Sequence, residues 1–133
     1  MSSILVDNLT GKTTAGSVTV TSEGGAATLQ LQQGLAKAWC TFNASTGTPT
    51  ILDDFNVSSM DDDGVGIYGI NFTANFWNNT SYATNVTCGQ GGNKNGGYDN
   101  TATGSVDLQT EQASSGTNFD HDHVSTTHHG DLA

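Results

Sequence analysis

The chain has 133 residues, which is enough for one domain or for one small domain with tails. Hydrophobic residues make up 34% and charged residues 12%, both below the usual shares of globular domains, so part of the apolar burial is expected to come from neighbouring subunits. The formal net charge of −10, with only three basic residues, argues against nucleic-acid partners and against membrane insertion.

Residues 1–34 are predicted to form an extended anchoring region. Apolar residues alternate in residues 17–21 and 27–32, on either side of Gly24-Gly25, and this pattern predicts a β-hairpin. A lone hairpin is marginally stable in water, so we expect the region to lean on another chain. The residues expected to make those contacts are Ile4, Leu5, Val6, Val18, Val20, Leu29 and Leu31.

Residues 35–110 are predicted to form a β-domain. Strand patterns cover residues 35–42, 50–60, 65–76, 82–88 and 104–110. Ala38, Cys40 and Phe42 share one face of the first of these strands. Successive strands with short turns and no βαβ pattern indicate an all-β fold, either a small antiparallel β-sandwich or an interlocked β-structure with extended N- and C-terminal segments.

Two Gly-rich or Asp-rich segments interrupt these strands. Asp61-Asp62-Asp63-Gly64 is predicted to be a solvated turn, and the alternative is a Ca²⁺ site, since carboxylate oxygens bind that ion. Residues 89–97 are predicted to be a low-complexity loop.

Residues 111–133 are almost wholly polar and contain all four histidines. We predict a His- and Asp-containing tail that is either flexible or ordered only by assembly.

Five segments within the first 88 residues form a distinctive set: residues 4–9 (ILVDNL), 36–43 (AKAWCTFN), 54–59 (DFNVSS), 63–68 (DGVGIY) and 71–72 (NF). In these segments the chain resembles short structural and tail-fibre-like proteins of marine bacteriophages, especially phages of cyanobacteria. The resemblance covers roughly residues 1–88. The resemblance implies a virion structural protein, a short fibre or appendage subunit that works as a homotrimer, bound to other virion proteins. It would assemble in the host cytoplasm and be displayed on the particle exterior, with the contact residues above facing sister chains or the virion.

His121 and His123 are the candidate metal ligands. A His-x-His pair on a strand places both imidazoles on one face, and in a parallel trimer three such pairs could surround one transition-metal ion. This site depends on trimerisation, and no other cofactor is expected. The alternatives are an exposed histidine tail and a pH-responsive contact.

Neither cysteine has a neighbouring histidine or basic residue that would activate it, and no Gly-x-Ser-x-Gly motif occurs. We therefore expect no enzymatic activity. Residues 1–22 lack the features of a signal peptide, so Cys40 and Cys88 are expected to stay reduced, and a disulfide between them is the alternative.

Two other functions remain open. One is a capsid decoration or cement protein. The other is a receptor-binding module for a host surface glycan, in which Trp77, placed at a turn before Asn78-Asn79, would stack against the ligand.

Overall fold

The computed structural model describes residues 4–14, 17–22, 24–25, 27–89 and 94–133, and the chain divides into two compact units, Met1–Leu35 and Ala36–Ala133. All regular structure in these ranges is antiparallel β-sheet, apart from one 3-10 turn at Gln32–Gly34. The predicted all-β, antiparallel character is therefore confirmed. No helix in the described ranges is long and apolar enough to cross a membrane.

The first unit contains a two-stranded hairpin. Strands β1 (Thr19–Thr21) and β2 (Thr28–Gln30) pair antiparallel, with Val20 opposite Leu29. The alternation in the sequence predicted this pairing. Every residue of both strands is exposed, which is expected of a hairpin without a covering layer.

In the second unit, residues 36–89 and 94–133 contain nine strands in two sheets. Their bounds are β3 Ala38–Asn43, β4 Thr50–Phe55, β5 Val57–Gly64, β6 Ile67–Phe72, β7 Tyr82–Cys88, β8 Lys94–Thr101, β9 Ser105–Gln112, β10 Thr117–Asn118 and β11 Val124–Gly130. One sheet has the order β4-β3-β11-β7. The other has the order β5-β6-β9, with β8 and the short β10 both paired to β9.

Side chains from both sheets meet in one hydrophobic cluster. As predicted, Ala38, Cys40 and Phe42 of β3 point inward together. The ring of Phe42 contacts that of Tyr68 on β6 edge-on, with centroids 5.0 Å apart. The remaining buried apolar residues are Ala44, Ile70, Phe72, Phe76, Val106, Leu108 and Val124. Period-two alternation in β3, β9 and β11 supplies much of this core.

The prediction of one extended segment over residues 50–60 was wrong. Asn56 separates β4 from β5, which belong to different sheets. Asn56 has a φ of +59°, in the left-handed region that asparagine tolerates better than most residues. A single residue in this conformation redirects the chain from one sheet to the other.

The predicted Asp-Gly turn was also misplaced. Asp61, Asp62 and Asp63 lie within β5, and the hairpin turn comes two residues later, at Val65 and Gly66. Gly66 has a φ of +69°, and a Cβ there would clash with the carbonyl oxygen of Thr110, so glycine is needed at this turn.

The largest error concerns residues 111–133, which do not form a tail. β9 continues to Gln112, and β11 lies inside its sheet, paired with β3 on one side and β7 on the other. The prediction relied on the polar composition of this segment. It was wrong because two polar residues of β11, Thr126 and His128, are buried beside Val124. The predicted loop at 89–97 is likewise strand from Lys94 onward, while residues 90–93 lie outside the described ranges.

Candidate functional site

The outer face of β9 is polar because its residues alternate between core and surface. Val106 and Leu108 are buried, whereas Asp107, Gln109 and Glu111 between and beyond them are partly exposed. Strand β8 pairs along the whole length of this row. The neighbouring polar side chains of the two strands therefore form a continuous surface.

A shallow cavity of about 150 Å³ lies on this face, lined by Asn95, Gly97, Tyr98, Gln109 and Glu111. The strand register places Asn95 opposite Glu111 and Gly97 opposite Gln109. Apart from Gly97 itself and its two chain neighbours, no heavy atom of the described residues lies within 4 Å of the position that a Cβ would take on Gly97. Because Gly97 has no side chain, this space stays open and Gly97 forms the floor of the cavity. We call this cavity the β8–β9 groove.

Hydrogen bonds fix the polar wall of the groove. The side-chain amide of Gln109 donates from Nε2 to Oε1 of Glu111 (3.1 Å) and to Oδ1 of Asn118 (2.8 Å). Both amide hydrogens of Gln109 are used in this way, so its carbonyl oxygen is left to accept. Together with the Glu111 carboxylate, it gives the groove hydrogen-bond acceptors in defined positions.

Tyr98 forms the aromatic wall. The register of β8 shifts between Tyr98 and Asn100, so Asp99 is an extra residue in a β-bulge. Bulges re-aim neighbouring side chains. Tyr98 is 53% exposed and lines the groove, although its register partner, Leu108, is buried.

A second polar cluster covers β5 and β6. Carboxylate oxygens of Asp61 and Asp63 both lie 3.4 Å from the Cβ position of Gly69, and Asn71 donates from Nδ2 to Asp61 (2.8 Å) and to Ser59 (3.0 Å). Among the described residues, no three His, Cys, Asp or Glu side chains are grouped so that they could hold a metal ion.

The candidate metal ligands His121 and His123 lie before β11 rather than on a strand, so the expected sharing of one strand face was wrong. The His121 ring is 1% exposed, with Nε2 3.0 Å from the backbone oxygen of Glu111 and with Nδ1 lacking a hydrogen-bond partner. His123 instead has Nε2 3.4 Å from the hydroxyl of Ser125. The two rings thus have different neighbours within one chain, and the trimeric metal site stays a prediction.

His128 lies in the core. Its Nδ1 is 3.0 Å from the hydroxyl of Thr84, and its Nε2 is 3.0 Å from the hydroxyl of Thr126. Burial, with a smaller contribution from the charge of His129, lowers the pKa of His128 to about 4. Residue 128 lies in the stretch 111–133 that was predicted to be a polar tail, so this network was not predicted.

The segment before β11 is held by two acidic residues. Asp120 accepts hydrogen bonds at Oδ1 from the Tyr68 hydroxyl and from the Gly66 amide, both at 2.7 Å. Burial, helped by the hydrogen bond to Asp120, raises the pKa of Tyr68. Asp122 pairs with Lys94 at 2.7 Å, and this hydrogen bond lowers the pKa of Asp122. The carboxylates of Asp120 and Asp122 therefore stabilise the position of this segment.

Trp77, predicted as a stacking residue, is 69% exposed. Its backbone amide donates to the oxygen of Asp131 at 2.8 Å, so its position is fixed while its ring faces solvent. It is not among the residues that line the β8–β9 groove.

The two cysteines are free thiols, as expected. They lie on β3 and β7, which are about 10 Å apart because β11 lies between them, so the two backbones are farther apart than the roughly 7 Å that a disulfide can span. Burial, with the charges of Asp54 and Asp53, raises the pKa of Cys40 to about 12, and burial also raises the pKa of Cys88. Thiolates are scarce at such sites, which makes both residues poor nucleophiles.

The predicted contact residues of the first unit are largely exposed. Leu5 is 93% exposed and Ile4 is 84% exposed, while Val18 and Leu31 are half-buried. The remaining three, Val6, Val20 and Leu29, are exposed as well.

Comparison with family models, with curated proteins and with solved structures found no match to this chain.

The β8–β9 groove was missed from the sequence. Gly96-Gly97 lies in a Gly- and Asn-rich stretch that is typical of a loop, so the strand β8 was not recognised. One signal could have found it. Tyr98 is a lone aromatic residue in an otherwise polar stretch, close before the recognised strand of Val106 and Leu108.

Proposed function

We propose that the chain is a non-enzymatic structural subunit of a bacteriophage particle, a short fibre or appendage protein that functions as an oligomer. The observation that carries the proposal is the exposure of apolar side chains in the first unit. Ile4, Leu5 and Val6 are consecutive, and all three are exposed to solvent in the single chain. Large apolar surfaces of this kind mark contacts with other proteins.

In this proposal the first unit attaches and the second unit is displayed. The two sheets of residues 36–133 form a sandwich, supported by contacts such as that between Phe72 of β6 and His128 of β11, with ring centroids 5.1 Å apart. Sister chains, as a homotrimer, and other virion proteins cover the first unit. The protein stands on the exterior of the virion.

The state of the reactive side chains supports a structural rather than a catalytic role. Cys40 is buried with a raised pKa, and His128 is held between two threonine hydroxyls. Asp120 is engaged by two donors. Each of these groups serves packing or hydrogen bonding within the chain.

The test is the native mass of the purified protein by light scattering, for the wild type and for a variant carrying Ile4→Ser, Leu5→Ser and Val6→Ser. We expect an oligomer that dissociates in this variant, because its apolar contacts are lost. Val65→Ser is the control, since Val65 is also 60% exposed but lies at the β5–β6 turn. A folded wild-type monomer, or equal dissociation of the control, contradicts the proposal.

A further inference from the structure

We propose that the β8–β9 groove is a binding subsite for a single neutral pyranose unit of a saccharide. The groove combines one exposed aromatic ring, Tyr98, with a polar wall formed by Asn95, Gln109 and Glu111 over a floor at Gly97. Its role is separate from the virion role proposed above, and either can fail without the other.

The size of the groove fits one small unit. Its volume of about 150 Å³ is below the roughly 300–1,000 Å³ of sites for drug-sized ligands. The space exists because position 97 has no side chain and nothing else fills it. A single sugar ring is a ligand of this scale.

The aromatic wall of the groove suits the C–H face of a pyranose ring, and the polar wall suits its hydroxyl edge. A pyranose has hydroxyl groups around its edge and C–H groups on its faces. An exposed tyrosine offers a flat apolar surface for the C–H face. The carbonyl oxygen of Gln109 and the carboxylate of Glu111 accept hydrogen bonds from hydroxyls, and the Asn95 amide both donates and accepts.

The hydrogen bonds within the wall favour a pre-formed site. Gln109 is held by Glu111 and Asn118, so its orientation does not have to be fixed on binding. Pre-organisation lowers the entropic cost of association. Asp107, the next outward position of β9, is also polar, so the hydrogen-bonding surface continues along this strand.

The negative charge of the chain limits the class of saccharide that the groove can bind. The chain has a net charge of −10, so sulfated or carboxylated saccharides are repelled. Glu111 is the single charged residue among the five that line the groove, and its carboxylate already accepts from Gln109. Recognition therefore rests on hydrogen bonds to uncharged hydroxyl groups and on stacking, which suits an uncharged sugar.

The test is a titration of the ¹⁵N-labelled full chain with D-glucose, D-galactose, D-mannose and N-acetyl-D-glucosamine, monitored by NMR. The side-chain amide signals of Asn95 and Gln109 report directly on the groove. We expect saturable shifts of these signals with at least one sugar, and no dependence of the affinity on salt.

Two variants address the groove and two serve as matched controls. Gly97→Val fills the floor and Tyr98→Ala removes the aromatic wall, and each is expected to weaken binding about tenfold or more. Ala83→Val adds the same kind of bulk at an exposed position of β7, and Trp77→Ala removes another exposed aromatic side chain. Both controls should bind like the wild type, and the dispersion of each spectrum verifies folding.

Three results would overturn the assignment. One is the absence of shifts with all four sugars, and another is unchanged binding by folded Gly97→Val protein. The third is a response of the groove signals to choline chloride without a response to sugars, which would identify a cation site.

Discussion

His128 is a buried imidazole whose two nitrogens both face hydroxyl groups. A neutral imidazole donates from one nitrogen and accepts at the other, and the hydroxyls of Thr84 and Thr126 can serve either need. A protonated ring would place a charge in the core among Phe72 and Tyr82. The fold therefore selects the neutral form.

This selection predicts a loss of stability in acid. The pKa of His128 falls from 6.5 in the unfolded chain to about 4 in the folded chain, so the unfolded state binds more protons between these values. The stabilisation is complete above pH 6.5 and is lost as the pH falls toward 4. Its full size is about 3 kcal/mol. Urea denaturation at a series of pH values measures it.

His128→Leu should show a flatter pH dependence over this range, although at lower overall stability because the hydroxyls of Thr84 and Thr126 lose their partner. His123→Asn is the matched control, since His123 is only half-buried, and it should keep the wild-type decline. A decline that persists unchanged in His128→Leu would assign the effect to other groups.

At the scale of elements, the corner between β4 and β5 depends on Asn56. Its side-chain amide donates to the backbone oxygens of Lys37 (3.0 Å) and Ala74 (3.1 Å), and its Oδ1 accepts from the amide of Ala74 (2.7 Å). The residue thus supplies both the left-handed backbone and three bonds that tie the corner to its neighbours.

Two substitutions separate these contributions. Asn56→Gly removes the three hydrogen bonds but permits the positive φ, whereas Asn56→Ala also introduces strain, so alanine should be less stable than glycine by about 1 kcal/mol. Both should be less stable than the wild type in urea denaturation. Asn85→Ala, at an exposed position of β7, should have little effect. Alanine equal to glycine would exclude backbone strain as a determinant.

The strands with apolar alternation were the predictable elements. Ala38, Cys40 and Phe42 form a regular inward row, and so do Val106 and Leu108, because burial leaves a period-two pattern in the sequence. β11 could not be recognised in this way. Its inward residues are Val124, Thr126 and His128, and two of these satisfy their polar groups by contacts that exist only in the folded chain.

The candidate site was less predictable than the fold. Nothing in the sequence distinguishes Gly97 as a cavity floor from Gly97 as a loop residue, since the difference lies in its pairing with Gln109 on another strand. Trp77 could be recognised because its position before an Asn-Asn turn predicts exposure, which the structure confirms. Local sequence specifies such turns but not distant neighbours.

At the scale of the whole molecule, negatively charged side chains lie on the edge strands of both sheets. β4 and β5 each end a sheet, and both carry exposed carboxylates, with Asp53 and Asp54 on β4. An unpaired edge is a template for strand pairing with another copy of the chain. Antiparallel self-pairing of β4 would bring these aspartates close together, so like charges oppose it.

Asp54→Asn should therefore increase self-association, because it removes one charge from the open edge formed by β4. Asp7→Asn removes one charge from the first unit and is the control. Sedimentation velocity over a range of protein concentrations measures the difference. Equal behaviour of the two variants would mean that net charge, rather than its position on β4, keeps the edge from pairing.

The place of β11 also has a consequence for biosynthesis. Thr41 of β3 pairs with Ser125 of β11 across more than half of the chain. During translation β3 leaves the ribosome long before β11. Until β11 has been synthesised, the inward apolar side chains of β3 and the edge that pairs with β11 therefore remain uncovered. Folding of this sheet should therefore be slow and largely post-translational, and the nascent chain should be a substrate for chaperones.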